Sequence, residues 1–264
     1  MNREALQKNG YLIVPGIVPA ELCREVVADI DRHLEGYAPP NELDYYGMVE
    51  LYHAQSMWDV RQHPAVHAAF AELFDTEKLW VSIDRVNWKP PLPEEEQPSK
   101  YGGFIHWDIC INQKPHPFEV QGVVALTDTD ADMGGFQCMP DLYRELDEWL
   151  WKQPCRKAQR SYLLPPYEYP VVVPEMKAGD LLVWDSFLPH GNGINLGMRT
   201  RYAQYVTMTL PGDARLGEER MNCWFSNKIP SGYAFPGDMR MLEQKMSFAK
   251  LTEFGRKLLG LVGW

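Results

Sequence analysis

The sequence predicts an all-β core with flanking α-helices, and three observations carry that expectation. Short runs rich in β-branched and aromatic residues, bounded by Gly, Pro and Asp, recur from Trp80 to Leu210, the texture of a sandwich or barrel. Most stretches with a helical apolar period lie toward the two ends of the chain. The 264 residues are 45% hydrophobic, 12% aromatic and 23% charged, which supplies a packed core. Barrels of this length commonly form one domain, so residues 1–264 are read as a single domain.

The elements follow in order. Pro19 to Leu34 places Leu22, Val26, Val27, Ile30 and Leu34 on one helical face, with Gly36 as a stop. Pro64 to Phe74 is a second helix of the same outer layer. Trp80 to Lys89 alternates as a strand, with Val81, Ile83, Arg85, Asn87 and Lys89 on one parity, and stops at Pro90-Pro91. Pro90 to Lys100 is an exposed loop. Further strands are expected at Phe104–Ile111, Gln121–Thr127, Tyr169–Val173, Asp180–Trp184 and Tyr202–Leu210. A helix capped by Asp141 runs to Trp151, with Leu142, Leu146, Trp149 and Leu150 inward, and a last helix spans Asp238–Leu259. Gly134-Gly135 is a tight turn; without a following Lys-Ser or Lys-Thr it is no phosphate cradle.

Bulk properties exclude several function classes. A net charge of -10 and the lack of a basic stripe argue against nucleic acid as a partner. No apolar run approaches the roughly 20 residues that span a bilayer, and MNREALQKNG lacks the apolar stretch of a secretory signal. The reading is therefore no membrane partner and a cytoplasmic location, with the oligomeric state left open. Five scattered cysteines without a CxxC pair are read as reduced thiols.

The chemistry lies in two segments. Phe104-Ile105-His106-Trp107-Asp108-Ile109 puts a histidine and an aspartate two apart on an expected strand, so both face one cavity. Downstream, the apolar run Leu181 to Trp184 leads to His190-Gly191-Asn192-Gly193, and Arg199 and Arg201 follow nine and eleven residues after His190. Two histidines and one carboxylate occupy one face of an octahedral ion and leave three positions free, the arrangement of non-haem Fe(II) oxygenases. An arginine on the next strand offers a guanidinium fork to the distal carboxylate of a keto acid. His33, His53, His63, His67 and His116 share no ligand spacing and are read as surface or capping residues, while the tryptophans are read as core apart from Trp88 and Trp107 beside the site.

With these motifs, together with Asp84 to Pro90 and Gly134-Gly135-Phe136-Gln137-Cys138-Met139-Pro140, the chain resembles the phytanoyl-CoA dioxygenase family of Fe(II)/2-oxoglutarate-dependent oxygenases, which includes the ectoine hydroxylases. The resemblance runs from an N-terminal helix between Tyr11 and Leu34 through Arg201. It implies a double-stranded β-helix, the cupin-like jelly roll, with iron held by His106, Asp108 and His190. By the same resemblance Arg201 binds the 2-oxoglutarate co-substrate, and Arg199 ranks below it because of the interval from His190. Asn87 matches a position that contacts the keto acid in the ectoine hydroxylase branch, and Asn192 stands where many relatives carry Ser. The implied reaction consumes O2 and 2-oxoglutarate, releases succinate and CO2, and hydroxylates a C–H bond of a small molecule such as a natural product, amino-acid derivative or acyl compound. Asp108 favours hydroxylation over halogenation, because related halogenases lack this carboxylate. Desaturation, epoxidation or cyclisation at the same iron, a zinc or manganese cupin-like enzyme, and an inactive jelly-roll binding protein are the alternatives.

Overall fold

The computed structural model describes residues 3–38, 47–96, 104–111, 114–152, 169–228 and 238–264. Helix α1 (Arg3–Asn9) ends at Gly10, whose positive φ turns the chain into β1 (Tyr11–Val14). The apolar period after Pro19 forms α2 (Ala20–Leu34), which buries Cys23, Val26, Ile30 and Leu34 and leaves the Glu21–Arg24 and Asp29–Arg32 pairs on its outer face. After β2 (Met48–Val49) and α3 (Gln55–Arg61), α4 (Pro64–Phe74) begins on a proline, where the missing N–H costs no helical bond. The chain continues through β3 (Trp80–Val81), β4 (Val86–Lys89), β5 (Phe104–His106), β6 (Val120–Ala125) and β7 (Phe136–Cys138). Next come α5 (Pro140–Arg144), α6 (Leu146–Lys152), β8 (Leu181–Asp185), β9 (His190–Asn192), β10 (Arg201–Tyr205) and β11 (Met208–Thr209). Helices α7 (Ala214–Ser226) and α8 (Glu253–Leu259) close the chain, capped by Asp213 and Thr252 side chains that accept from Leu216 N and Gly255 N.

The architecture is antiparallel sheet with helices outside. Six strands run in the order β1-β8-β6-β10-β4-β2, three in the order β5-β9-β7, and β11 pairs with β3. Period-two alternation divides the larger sheet into two faces. Leu12, Val14, Val124, Leu181 and Val183 meet the helical layer, which contributes Val26, Ile30, Trp58 and Phe70. Ile13, Val123, Ala125, Leu182, Trp184 and Ala203 turn the other way and pack with Phe136 and Cys138 of the three-stranded sheet. A further cluster of Ile105, Trp107, Leu142, Leu146 and Phe187 joins α5 and α6 to the far side of that sheet. β8 is buried along its whole length because it is covered on both faces. Among the described residues no helix is long and apolar enough to cross a membrane.

Several sequence expectations change. The expected strand Trp80–Lys89 is two strands, because the chain switches partner: β3 pairs with β11 and β4 with β10. The same switch splits Tyr202–Leu210 into β10 and β11. Residues Tyr11–Val14, assigned by the resemblance to the N-terminal helix, pair as β1 with β8. Tyr169–Val173 makes only a bridge between Val172 and Cys138. Asp141 is not a cap; the helix starts after Met139, breaks at Glu145 into α5 and α6, and leaves Trp151 73% exposed. The expected helix Asp238–Leu259 is a 3-10 turn at Glu243–Lys245 followed by α8, with Glu243 buried and accepting from the Tyr52 and His53 amides. Helix α7 lies in a stretch for which the sequence reading named no element. Part of the expected loop 90–100, and Cys155, lie outside the described residues. The other four cysteines are free thiols.

Candidate metal centre

The three-stranded sheet sets the two histidines side by side. In the antiparallel pairing of β5 with β9, His106 stands opposite His190, and directly opposed side chains converge; their ring centroids are 4.9 Å apart. His190 Nδ1 is 2.8 Å from the Leu188 carbonyl. That carbonyl accepts a hydrogen bond from Nδ1–H and leaves Nε2 facing the site. Phe136 stacks on His190 at 6.0 Å and Trp184 lies 5.0 Å from it, so a dry aromatic wall fixes the ring.

Asp108 arrives differently from the expectation. β5 ends at His106 and residues 108 and 109 form a bend, so strand parity does not aim the aspartate. Its carboxylate is nonetheless between the rings, with Oδ1 3.1 Å from His106 Nε2 and Oδ2 3.3 Å from His190 Nε2. Gln121 Nε2 donates to Oδ2 at 2.9 Å. Burial alone would raise the Asp108 pKa, but hydrogen bonds and positive charge from both histidines outweigh it and hold the carboxyl far below the usual range. The ligand atoms of His106, Asp108 and His190 all lie within 4.8 Å of one another, a two-imidazole, one-carboxylate donor set that fits a divalent transition metal.

A second polar group sits two residues along the same strand. Asn192 shares a face of β9 with His190, and its Oδ1 accepts from Arg201 Nη1 at 3.1 Å. Asn87 Oδ1 accepts from the same Nη1 at 3.0 Å. Arg201 is 2% exposed, its Nε has no hydrogen-bond partner, and among the described residues no carboxylate pairs with it. Burial accordingly lowers its pKa. A buried guanidinium without an anion carries an uncompensated desolvation cost, which a ligand carboxylate would offset. Arg199 lies outside this space: its side chain is 57% exposed and pairs with Asp130 at 2.6 Å.

Four contributors escaped the sequence reading. Lys89 stands opposite Arg201 in the β4–β10 ladder and donates to the Gly134 and Gly193 carbonyls at 3.2 and 2.6 Å; burial and then Arg201 hold its pKa well below normal. Gly134 is required there, because it has φ 66° and an added Cβ would meet Asn195 N at 2.7 Å. Its carbonyl turns toward both cations. Tyr205 accepts from Asn192 Nδ2 at 2.9 Å, and it is Arg201's parity mate on β10. Gln121 is the fourth. The alternation of Lys89 with Asn87 and of Tyr205 with Arg201 was the available signal. Trp107, singled out beside the site, is instead core: it is buried and donates to the Phe187 carbonyl at 2.8 Å. Trp88 packs toward the helical layer. His33, His53 and His67 are buried rather than on the surface.

A cleft of about 700 Å3 opens beside Asp108, walled by Phe74, Arg85, Ile109, Phe118, Gln121 and Leu210. Arg85 has the inward parity of Asn87; it pairs with Asp84 at 3.2 Å and lies 5.8 Å from the Tyr205 ring centre. The cleft is thus bordered both by the Asp108 carboxylate and by Arg85, the neighbour of the Tyr205 ring.

Comparison with known proteins adds the family. The model of the phytanoyl-CoA dioxygenase (PhyH) family matches residues 6–203. "Ava biosynthesis cluster protein O" of Aspergillus versicolor is 27% identical over 180 residues, covering 62% of this chain and 56% of that protein, so the chain spans just over half of its length. The crystal structure of GlcNAc Inducible Gene 2 from Candida albicans superposes with a TM-score of 0.74 at 14% identity, covering 98% of this chain and 75% of that one. The non-heme alpha ketoglutarate dependent epimerase SnoN from nogalamycin biosynthesis superposes with a TM-score of 0.57 at 19% identity, covering 95% of both chains. SnoN has also been crystallised with Fe3+, alpha ketoglutarate and nogalamycin RO.

Proposed function

The chain belongs to the phytanoyl-CoA dioxygenase family, and from that premise we propose that it is an Fe(II)- and 2-oxoglutarate-dependent oxygenase that hydroxylates a C–H bond of a small molecule. The fold that suits this reading is a double-stranded β-helix in one domain, with the six-stranded and three-stranded sheets as its two walls. One observation carries the reading: a His-Asp-His donor set and a buried arginine with no carboxylate partner among the described residues are placed two residues apart along β9 by His190 and Asn192.

In this reading His106, Asp108 and His190 hold the iron, and Arg201 receives the distal carboxylate of 2-oxoglutarate. Asn87 and Asn192 direct their carbonyl oxygens at the guanidinium, so they orient Arg201. Lys89, opposite Arg201 in the β4–β10 ladder, braces the Gly134 and Gly193 carbonyls beside the guanidinium. Iron, 2-oxoglutarate and O2 together would supply oxidative decarboxylation, with release of succinate and CO2, and the oxidising power to break a C–H bond. Phe136 and Trp184 keep water from the histidine side, and the Leu188 carbonyl holds the His190 tautomer. The substrate enters by the cleft at Asp108, whose volume suits a small organic molecule.

SnoN is named as an epimerase, and its likeness to this chain is one of fold, so the outcome at carbon is decided by product analysis. The test is succinate formation from 2-oxoglutarate by Fe(II)-loaded protein under air across a panel of small molecules, followed by mass analysis of the stimulating compound. A gain of one oxygen atom with a new O–H on a former C–H carbon supports hydroxylation; the same gain at a former double bond replaces it with epoxidation, and a loss of two hydrogens, or an unchanged mass, replaces it with desaturation or ring closure, or with epimerisation. Failure of wild-type protein to bind 2-oxoglutarate in the presence of Fe(II) would sink the oxygenase reading, and metal analysis would then decide between a zinc or manganese site and an inactive scaffold.

A further inference from the structure

We infer that Gln121 is the positioning residue for the metal-binding carboxylate, an inference that rests on the metal reading above. Asp108 lies beyond the end of β5, on a bend whose side chain is 44% exposed, so its own backbone does not aim it. Among the described residues three groups face its carboxylate: His106 Nε2, His190 Nε2 and Gln121 Nε2. Once the histidine Nε2 lone pairs are committed to a metal, neither ring has a proton there to donate. The Gln121 amide is then the donor that remains from this set. It holds Oδ2, so that Oδ1 is presented as a single-oxygen ligand and the remaining coordination positions stay open.

The orientation of the amide follows from chemistry. An ionised carboxylate only accepts hydrogen bonds, so Gln121 must turn its NH2 group toward Asp108. Gln121 is also better anchored than the residue it steers. It lies on β6, between β8 and β10, opposite Trp184. Its parity is that of Val123 and Ala125, which are packed between the sheets. The adjoining Gly122 meets Phe70 and the Val206 carbonyl so closely that an added Cβ would lie 2.5 Å from that oxygen. This close approach pins the register of β6. A rigid strand thus reaches across to a bend and fixes a ligand that the bend itself leaves free.

The experiment is anaerobic titration of metal-free protein with Co(II) against a competing chelator, with the visible ligand-field bands as a second readout. Gln121→Met keeps the length of the side chain and removes the donor. It should weaken Co(II) binding by about 10- to 100-fold, as loss of a carboxylate's outer partner does elsewhere. It should also change the ligand-field bands, because an untethered carboxylate is free to bind through both oxygens. The Tm of the metal-free protein should remain that of wild type. Gln121→Asn, which withdraws the amide by one methylene, carries the same expectation if Gln121→Met does not fold. Wild-type affinity and wild-type bands in both variants would overturn the inference while leaving the metal site intact. So would a loss of affinity matched by a fall in the Tm of the metal-free protein. Wild-type protein that binds no Co(II) would overturn the metal reading and this inference with it.

Discussion

Replacing Arg201 with methionine should separate ligand binding from folding. The guanidinium is buried, anchored through Nη1 to Asn87 and Asn192, and lacks an anion among the described residues. Removing one partner of a desolvated, hydrogen-bonded charge pair costs about 2–4 kcal/mol of binding, or roughly 30- to 700-fold in Kd at about 1.4 kcal/mol per decade. The metal-free protein responds differently, because the substitution strands two amide oxygens but also removes a buried charge, and these effects oppose each other. The Tm should therefore change little while the co-substrate affinity collapses. The assay is anaerobic titration with Fe(II) and 2-oxoglutarate, following the weak visible charge-transfer band of a chelated keto acid. Arg199→Met, which loses only an exposed pair with Asp130, should titrate like wild type. An Arg201→Met protein with wild-type 2-oxoglutarate affinity, or an Arg199→Met protein that loses it, would refute the assignment.

Three further predictions test other links. His190→Gln should abolish stoichiometric Fe(II) binding, read by metal analysis after gel filtration, and leave the circular dichroism unchanged; retained stoichiometric iron would remove His190 from the ligand set. Gly134→Ala forces a Cβ onto the Asn195 backbone at a positive φ and moves the carbonyl that faces Lys89 and Arg201. It should lower the Tm and weaken 2-oxoglutarate binding together, and an unchanged 2-oxoglutarate titration curve would show that this carbonyl is not part of the pocket. Burial pushes the Glu243 carboxyl up to about 7, against lowering by hydrogen bonds from the Tyr52 and His53 amides. With the folded pKa above the unfolded one, the stability contributed by Glu243 is complete below pH of about 4.5 and is lost as pH rises through about 7, an effect of about 3 kcal/mol. His53, pushed down to about 4 by burial, acts with the opposite sign in much of that window. The urea stability difference between wild type and Glu243→Gln should therefore shift across pH 5 to 8, and a difference that is flat with pH would contradict the reasoning.

Different parts of the molecule were legible to different degrees. Helix α4 was readable to the residue because its proline start and apolar faces are local signals. The strands Trp80–Lys89 and Tyr202–Leu210 were misread as continuous because alternation reports which way a side chain points and not which sheet the strand joins. The switch at residues 82–85 depends on β11 and on Arg61, whose guanidinium donates to the Asp84 carbonyl. Glu243 broke the expected C-terminal helix for a similar reason: its carboxylate takes the Tyr52 and His53 amides, nearly two hundred residues away in the chain.

The sequence by itself supplied His106, Asp108 and His190 as candidate donors, their likeness to one family, and the ranking of Arg201 above Arg199. Those follow from residue identity and short intervals along the chain. Only the tertiary structure decided that Gln121 donates to Asp108, that Arg201 is buried with no carboxylate partner among the described residues, that Asn87 and Asn192 converge on it, and that Lys89 and the Gly134 carbonyl share its pocket. Each of these depends on β4, β6 and β10 of the six-stranded sheet meeting residues carried by the three-stranded one, and register within each sheet is set by packing and hydrogen bonding between distant segments, which no local pattern encodes.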